Sequence, residues 1–297
     1  MSDAAFEQSR TCGIQRMRVG AFAEAAAHFE DAETLASTAA DRALAQIHMA
    51  SVCVLQGTPS RRIDELPVLL MRHDSPRHVY LASYYLALHF AEERRTDAAA
   101  RYLTLLFDAA EAMDDSYYRA GAYDVGCNVA RSAGDLAMEY EYALRANETI
   151  AACAPTDDAV MARAAIGHNL GYALLAGGHY ENAVDPLRRG ADALDACGAG
   201  AIAVQAYINL AFAHFAVGDH EESEQHLQVV EERIVPTTEW LRKYVYFLRG
   251  EIAQRRGRYG EARSEYRRLC EHYPAFANLV ELLSGVSLFP LLLPERT

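Results

Sequence analysis

Apolar side chains recur along this chain three and four residues apart, in runs broken by short polar turns that often hold glycine. That period is the signature of amphipathic helices packed on one face. The clearest run is Asn169 to Ala191, NLGYALLAGGHYENAVDPLRRGA. It reads as two helices joined at Gly177-Gly178, with Gly171 and Ala183 as small residues where the two would touch. Laid along the chain as a ruler, it finds related units beginning near Phe6, Ala43, Tyr80, Ala120, Ala164, Val204 and Lys243, at spacings of 37 to 44 residues. A recurring period of this size predicts a solenoid, in which each unit buries its face against its neighbours.

Three offsets within the unit carry the expectation. The first holds Gly20, Gly57, Gly134, Gly178, Gly218 and Gly257, with Arg94 in the third unit. Glycine reaches positive φ at little cost, so it can end one helix and turn the chain into the next. The second holds Gly13, Ala50, Ala87, Cys127, Gly171, Ala211 and Gly250, all small, as a close helix contact demands. The third holds Ala25, Ala99, Ala183, Ser223 and Ala262, broken by Arg62 and Glu139. One turn beyond it stand Phe29, Leu66, Leu103, Ala143, Leu187, Leu227 and Tyr266, which would fill the space between helices. Pro76, Pro155 and Pro236 fall ahead of first helices, where a missing backbone donor costs little. Pro67 falls inside an expected second helix and should break or kink it.

These units resemble tetratricopeptide repeats. The stretch from Tyr246 to Pro274, YFLRGEIAQRRGRYGEARSEYRRLCEHYP, is most similar to the family pattern. The longer, irregular units also resemble the helical sensor domains of large bacterial transcription activators. The resemblance implies an all-α fold, a right-handed α-α superhelix of about seven helical hairpins. It would be a single solenoid over residues 1–297, with residues 275–297 as a C-terminal capping segment. It also implies that first helices line a concave groove. By that rule Tyr84, Tyr85, Asp124, Asn128, Arg131, His168, Asn169, Tyr172, Gln205, Asn209, Phe212 and Arg255 form the candidate peptide- or partner-binding surface. Asn169 and Asn209 occupy the same place in consecutive units. Each amide could pair with an extended peptide's backbone or tie neighbouring helices together. Tyr172 and Phe212 repeat likewise, as binding anchors or as packing. Arg131 and Arg255 could hold a carboxylate, and Arg255 could equally be a solvated charge.

Charge and motifs narrow the function. The net charge of −13 excludes general affinity for nucleic acid, although Leu241 to Arg268 holds nine basic residues against three acidic ones. The apolar runs fall short of a membrane span, and the N-terminus lacks a secretory signal, which places the chain in the cytoplasm. Six scattered cysteines form no metal-ligand pattern. No nucleophile elbow, zinc-protease or phosphate-loop motif is found. His214, His220 and His226, six residues apart, do not stack on one helical face, and Glu222 with His226 reads as a surface pair. The sequence therefore predicts a module without catalysis, cofactor or metal, binding another protein or a peptide. A self-assembling scaffold, dimerising through its C-terminal end, and a small-molecule sensor with a closed groove are the alternatives.

Overall fold

The computed structural model describes residues 2–274, and the expected capping segment lies outside the described residues. Fourteen α-helices and one 3-10 turn are described, paired as seven hairpins: α1 Ser2–Arg18 with α2 Phe22–Leu35, α3 Ala39–Leu55 with α4 Arg61–Arg72, α5 Pro76–Glu92 with α6 Thr96–Met113, and α7 Ser116–Ser132 with α8 Leu136–Ala151. Next come α9 Asp157–Ala176 with α10 Tyr180–Ala196, α11 Gly200–Val217 with α12 His220–Arg233, the 3-10 turn Pro236–Leu241, and α13 Arg242–Arg255 with α14 Tyr259–His272. The chain divides into two compact units, residues 1–166 and 167–297, with the boundary inside α9. Among the described residues, no helix is long and apolar enough to cross a membrane.

Each hairpin turns in the same way. Gly20, Gly57, Gly134, Gly178, Gly218 and Gly257 all have φ between 62° and 89°, and Arg94 joins them at 56°. In every hairpin the amide after this residue donates to the carbonyl five residues back, as in Ala21 to Arg16 (2.9 Å), Arg95 to Phe90 (2.8 Å) and His179 to Leu174 (2.9 Å). This bond satisfies a carbonyl that the helix end would otherwise leave open. Arg94 adopts the left-handed conformation with a side chain, at a cost of roughly 1 kcal/mol relative to glycine.

The small row meets the large row inside each hairpin. A methyl group at Gly13 would lie 2.5 Å from the Phe29 ring, one at Gly171 2.7 Å from Leu187, and one at Gly250 2.4 Å from the Tyr266 ring. Phe29, Leu187 and Tyr266 are buried to the last few per cent, as are Ala25, Ala183 and Ala262. Ser223 fits the small row because its hydroxyl donates to the Ala211 carbonyl at 2.9 Å. Pro67 does not break its helix: α4 runs through it, with Ile63 and Leu66 buried on one face. That burial offsets the one backbone bond a proline removes. Pro186 is carried inside α10 in the same manner.

Among the described residues, His48 is a core side chain whose polar atoms make no hydrogen bond. His48 stacks on Phe29 at 4.9 Å and 12°, and neither ring nitrogen has a hydrogen bond. Burial, with the nearby charges of Arg10 and Arg77, pushes its pKa down to about 3. The unfolded chain takes up this proton near the ordinary histidine value and the folded one resists it. Stability is therefore complete above about pH 6.5 and declines as pH falls towards 3.

Two stability measurements follow. In urea unfolding, Arg94→Gly should stabilise the chain by roughly 1 kcal/mol, whereas Gly250→Ala should destabilise it by about 2 kcal/mol or more, because the Tyr266 ring must move. Between pH 7 and pH 5 the wild type should lose roughly 2 kcal/mol through His48. His48→Leu should show a correspondingly shallower acid slope, and an unchanged slope would remove His48 from this role.

Candidate functional site

In the unit comprising residues 1–166, the first helices bring together a group of tyrosines. Tyr84 meets Tyr85 edge-on at 5.1 Å, Tyr80 meets Tyr118 edge-on at 4.9 Å, and Tyr117 meets Tyr118 at 5.5 Å. The Tyr80 hydroxyl donates to the Tyr118 carbonyl at 3.0 Å. Gly121 makes room for it, since a methyl group there would stand 2.4 Å from that hydroxyl. Burial raises the pKa of Tyr80, Tyr84, Tyr85 and Tyr117, and the Asp124 carboxylate adds to the effect on Tyr84. These hydroxyls stay protonated, and that of Tyr80 is already engaged with the Tyr118 carbonyl.

Beside this group, Arg18 in the last turn of α1 donates to Asp158 in the first turn of α9, Nη1 to Oδ1 at 2.5 Å. The bond joins residues 140 apart in sequence. Burial works to lower the Arg18 pKa, and the Asp158 carboxylate outweighs it, leaving it raised. Tyr85 and Tyr117 lie within electrostatic reach of the same guanidinium. Tyr84 and Tyr85 of the expected surface fall in this group, and Arg18, Tyr80, Tyr117, Tyr118 and Asp158 join them from outside it. One signal was available: Ser83-Tyr84-Tyr85 in α5 and Ser116-Tyr117-Tyr118 in α7 are the same tripeptide.

Along α7, Asp124, Asn128 and Arg131 form a chain. The Asn128 amide donates to the Asp124 carbonyl at 3.0 Å, and Arg131 donates to Asn128 Oδ1 at 3.2 Å and to Glu139 Oε1 at 2.8 Å. Glu139 is buried at the place where most hairpins carry alanine or serine. Arg131 thus holds a carboxylate, and it is the chain's own.

The unit comprising residues 167–297 divides its candidates between two tasks. The Asn209 Nδ2 amide on α11 donates to His168 Nε2 on α9 at 3.0 Å, with both side chains buried. This is the tie between neighbouring first helices that was one of the two expectations for the asparagine pair. Phe212 is buried edge-on to Tyr244 at 6.2 Å. Asn169 and Tyr172 are half-buried on α9, and Gln205 is exposed on α11. The Arg255 guanidinium lies over the Phe215 ring at 4.1 Å. The basic stretch is partly neutralised by carboxylates of its own and of the preceding residues: Arg242 pairs with Glu239, Arg249 with Glu224 and Glu231, Arg258 with Glu261, and Arg268 with Glu265.

One group in this unit could hold a metal ion. His214, Glu222 and His226 place one ligand atom each within 4.8 Å of one another. The sequence pattern separated His214 from the other two by its spacing, and the α11–α12 hairpin reunites them.

A tetratricopeptide-repeat family model matches residues 244–275, the last hairpin. No curated protein matches the sequence. Among solved structures, the apo form of RapI is similar with a TM-score of 0.67 and 10% identity, covering 96% of this chain and 81% of that one. A Rap protein complexed with Competence and Sporulation Factor is similar at 0.68 and 13% identity, covering 98% and 83%. A signal-transduction ATPase with a tetratricopeptide repeat sensor, from Pyrococcus horikoshii, is similar at 0.69 and 16% identity. It covers 94% of this chain, which spans 45% of that longer one. The chain carries a tetratricopeptide repeat in its last hairpin, and its fold is that of the tetratricopeptide-like all-helical repeat solenoids.

Proposed function

We propose that this chain is a non-enzymatic protein- or peptide-binding module of the cytoplasm, and that it takes an extended peptide or partner helix on its first helices. Arg18 anchors a carboxylate of that ligand. The observation that carries this reading is the Arg18–Asp158 pair: a half-exposed guanidinium, beside a group of tyrosines, already holds a carboxylate from a distant helix. A ligand carboxylate can replace Asp158 without changing the number of charge-assisted bonds. Tyr84 and Tyr117, both partly exposed, then supply rigid contact area at low entropic cost, with the buried Tyr85 behind them. A Rap protein of similar fold is found with a bound factor, and the Pyrococcus ATPase uses its repeats as a sensor. Both support a binding role for this architecture, as sensor or adaptor.

In the other unit Asn209 is engaged with His168, and Gln205 on α11 is the exposed side chain a ligand would meet. The scaffold alternative draws less support, since four arginines of its basic contact surface are paired within the chain.

The test is fluorescence anisotropy with a library of labelled peptides prepared as free acids and as C-terminal amides. Wild type should favour free-acid or acidic peptides. Arg18→Gln should weaken that binding by about ten-fold or more, and Asp158→Asn should tighten it by removing the internal competitor. Indifference of both variants to peptide charge would sink the assignment of Arg18. Asn209→Ala should cost about 1–3 kcal/mol of folding stability, measured by urea unfolding, which separates a structural tie from a ligand contact.

A further inference from the structure

We propose that His214, Glu222 and His226 form a binding site for a divalent first-row transition metal ion of the zinc class. This inference is independent of the peptide-binding reading. The geometry rests on the α11–α12 hairpin. Gly218, at φ 89°, reverses the chain, and Asp219 caps α12 by accepting from the Glu222 amide at 3.3 Å. Glu222 and His226 then lie one turn apart on α12, with Oε2 and Nε2 separated by 4.0 Å. Across the turn, the His214 ring faces the His226 ring at 5.3 Å between centroids.

Three ligand atoms no more than 4.8 Å apart lie within about 2.8 Å of a common centre. Zinc ligands sit at about 2.0–2.2 Å, so closure needs movements of roughly 0.7 Å, within reach of side-chain rotation. Two imidazoles and one carboxylate match the ligand types of zinc sites that keep one position open.

A second observation points to a ligand. His214 is 4% exposed, yet its Nδ1 has no hydrogen bond, and His226 Nε2 has none either. Asp219 Oδ2 approaches His214 Nδ1 at 3.5 Å, too long to satisfy it. Buried polar nitrogens left unpaired are costly, and a bound ion would satisfy them. Burial also lowers the pKa of both histidines, keeping them in the neutral form that a metal requires. The His226 ring is held in place by Tyr207, stacked on it at 6.0 Å and itself bonded to Asp192 at 3.3 Å.

The surrounding charges set the affinity. Asp219, Glu222 and Asp192 favour a cation. Arg188 opposes it, with Nη2 3.2 Å from His214 Nε2. That guanidinium competes both by charge and by occupying a ring nitrogen, so it must withdraw when the ion enters.

The experiment uses the full chain, stripped by chelator and kept reduced. It is titrated with Co²⁺ and followed by visible absorption, and with Zn²⁺ followed by calorimetry and thermal unfolding. Wild type should bind one ion, show visible ligand-field bands without the thiolate charge-transfer band that cysteine ligation would add, and melt at higher temperature with Zn²⁺. The double variant Glu222→Gln/His226→Gln, altered only at half-buried positions, should lose at least about a hundred-fold in affinity. Arg188→Leu should bind about three-fold tighter or more. Equal binding by wild type and the double variant, a thiolate band, or an Arg188→Leu affinity no tighter than wild type would each overturn the site.

Discussion

The fold depends on how closely two helices of a hairpin can approach. At Gly13, Gly171 and Gly250 the first helix offers bare backbone, and Phe29, Leu187 and Tyr266 from the second helix press against it. A large side chain can be buried this fully only if its neighbour has none, so the two rows are one constraint expressed twice. The turn between them is subject to the same demand. Helices this close need a short reversal, and a left-handed residue followed by a six-residue backbone bond supplies it in all seven hairpins.

Departures from this arrangement are informative. Glu139 enters the small row and is tolerated because Arg131 reaches it. Glu251 is buried beneath Tyr266, whose hydroxyl donates to it at 2.8 Å. In both cases a carboxylate in the core accepts a hydrogen bond from a side chain of the same hairpin, although Glu139 Oε2 is left without one. The cost falls on function: an arginine engaged in the core is not available to a ligand. Arg131, Asn209 and Arg255 all lie on first helices, yet each is committed to a partner within the chain.

In the proposed binding mode, exchangeable partners are the feature that separates binding positions from structural ones. The Arg18–Asp158 bond joins two half-exposed side chains from helices far apart in sequence. Of the tyrosines beside it, Tyr84 and Tyr117 are partly open, and Tyr80 and Tyr85 are buried beneath them in the core. A ligand offering the same chemistry as Asp158 meets a surface already arranged for it, which reduces the ordering cost of binding.

The sequence by itself determined the hairpins, their turns and their contact rows. These depend on local period, on glycine's freedom at positive φ and on residue size, all of which are written into neighbouring positions. Even Arg94 was legible as a turn residue, from its offset alone. Only the tertiary structure decided which inward side chains are spent on the fold. Asn169 and Asn209 look alike in sequence, but only the approach of α9 to α11 shows Asn209 bonded to His168. Arg18 meets Asp158 and His214 joins Glu222 and His226 for the same reason: these groups converge through the path of the chain in space, and no periodic pattern along one helix encodes a distance to another.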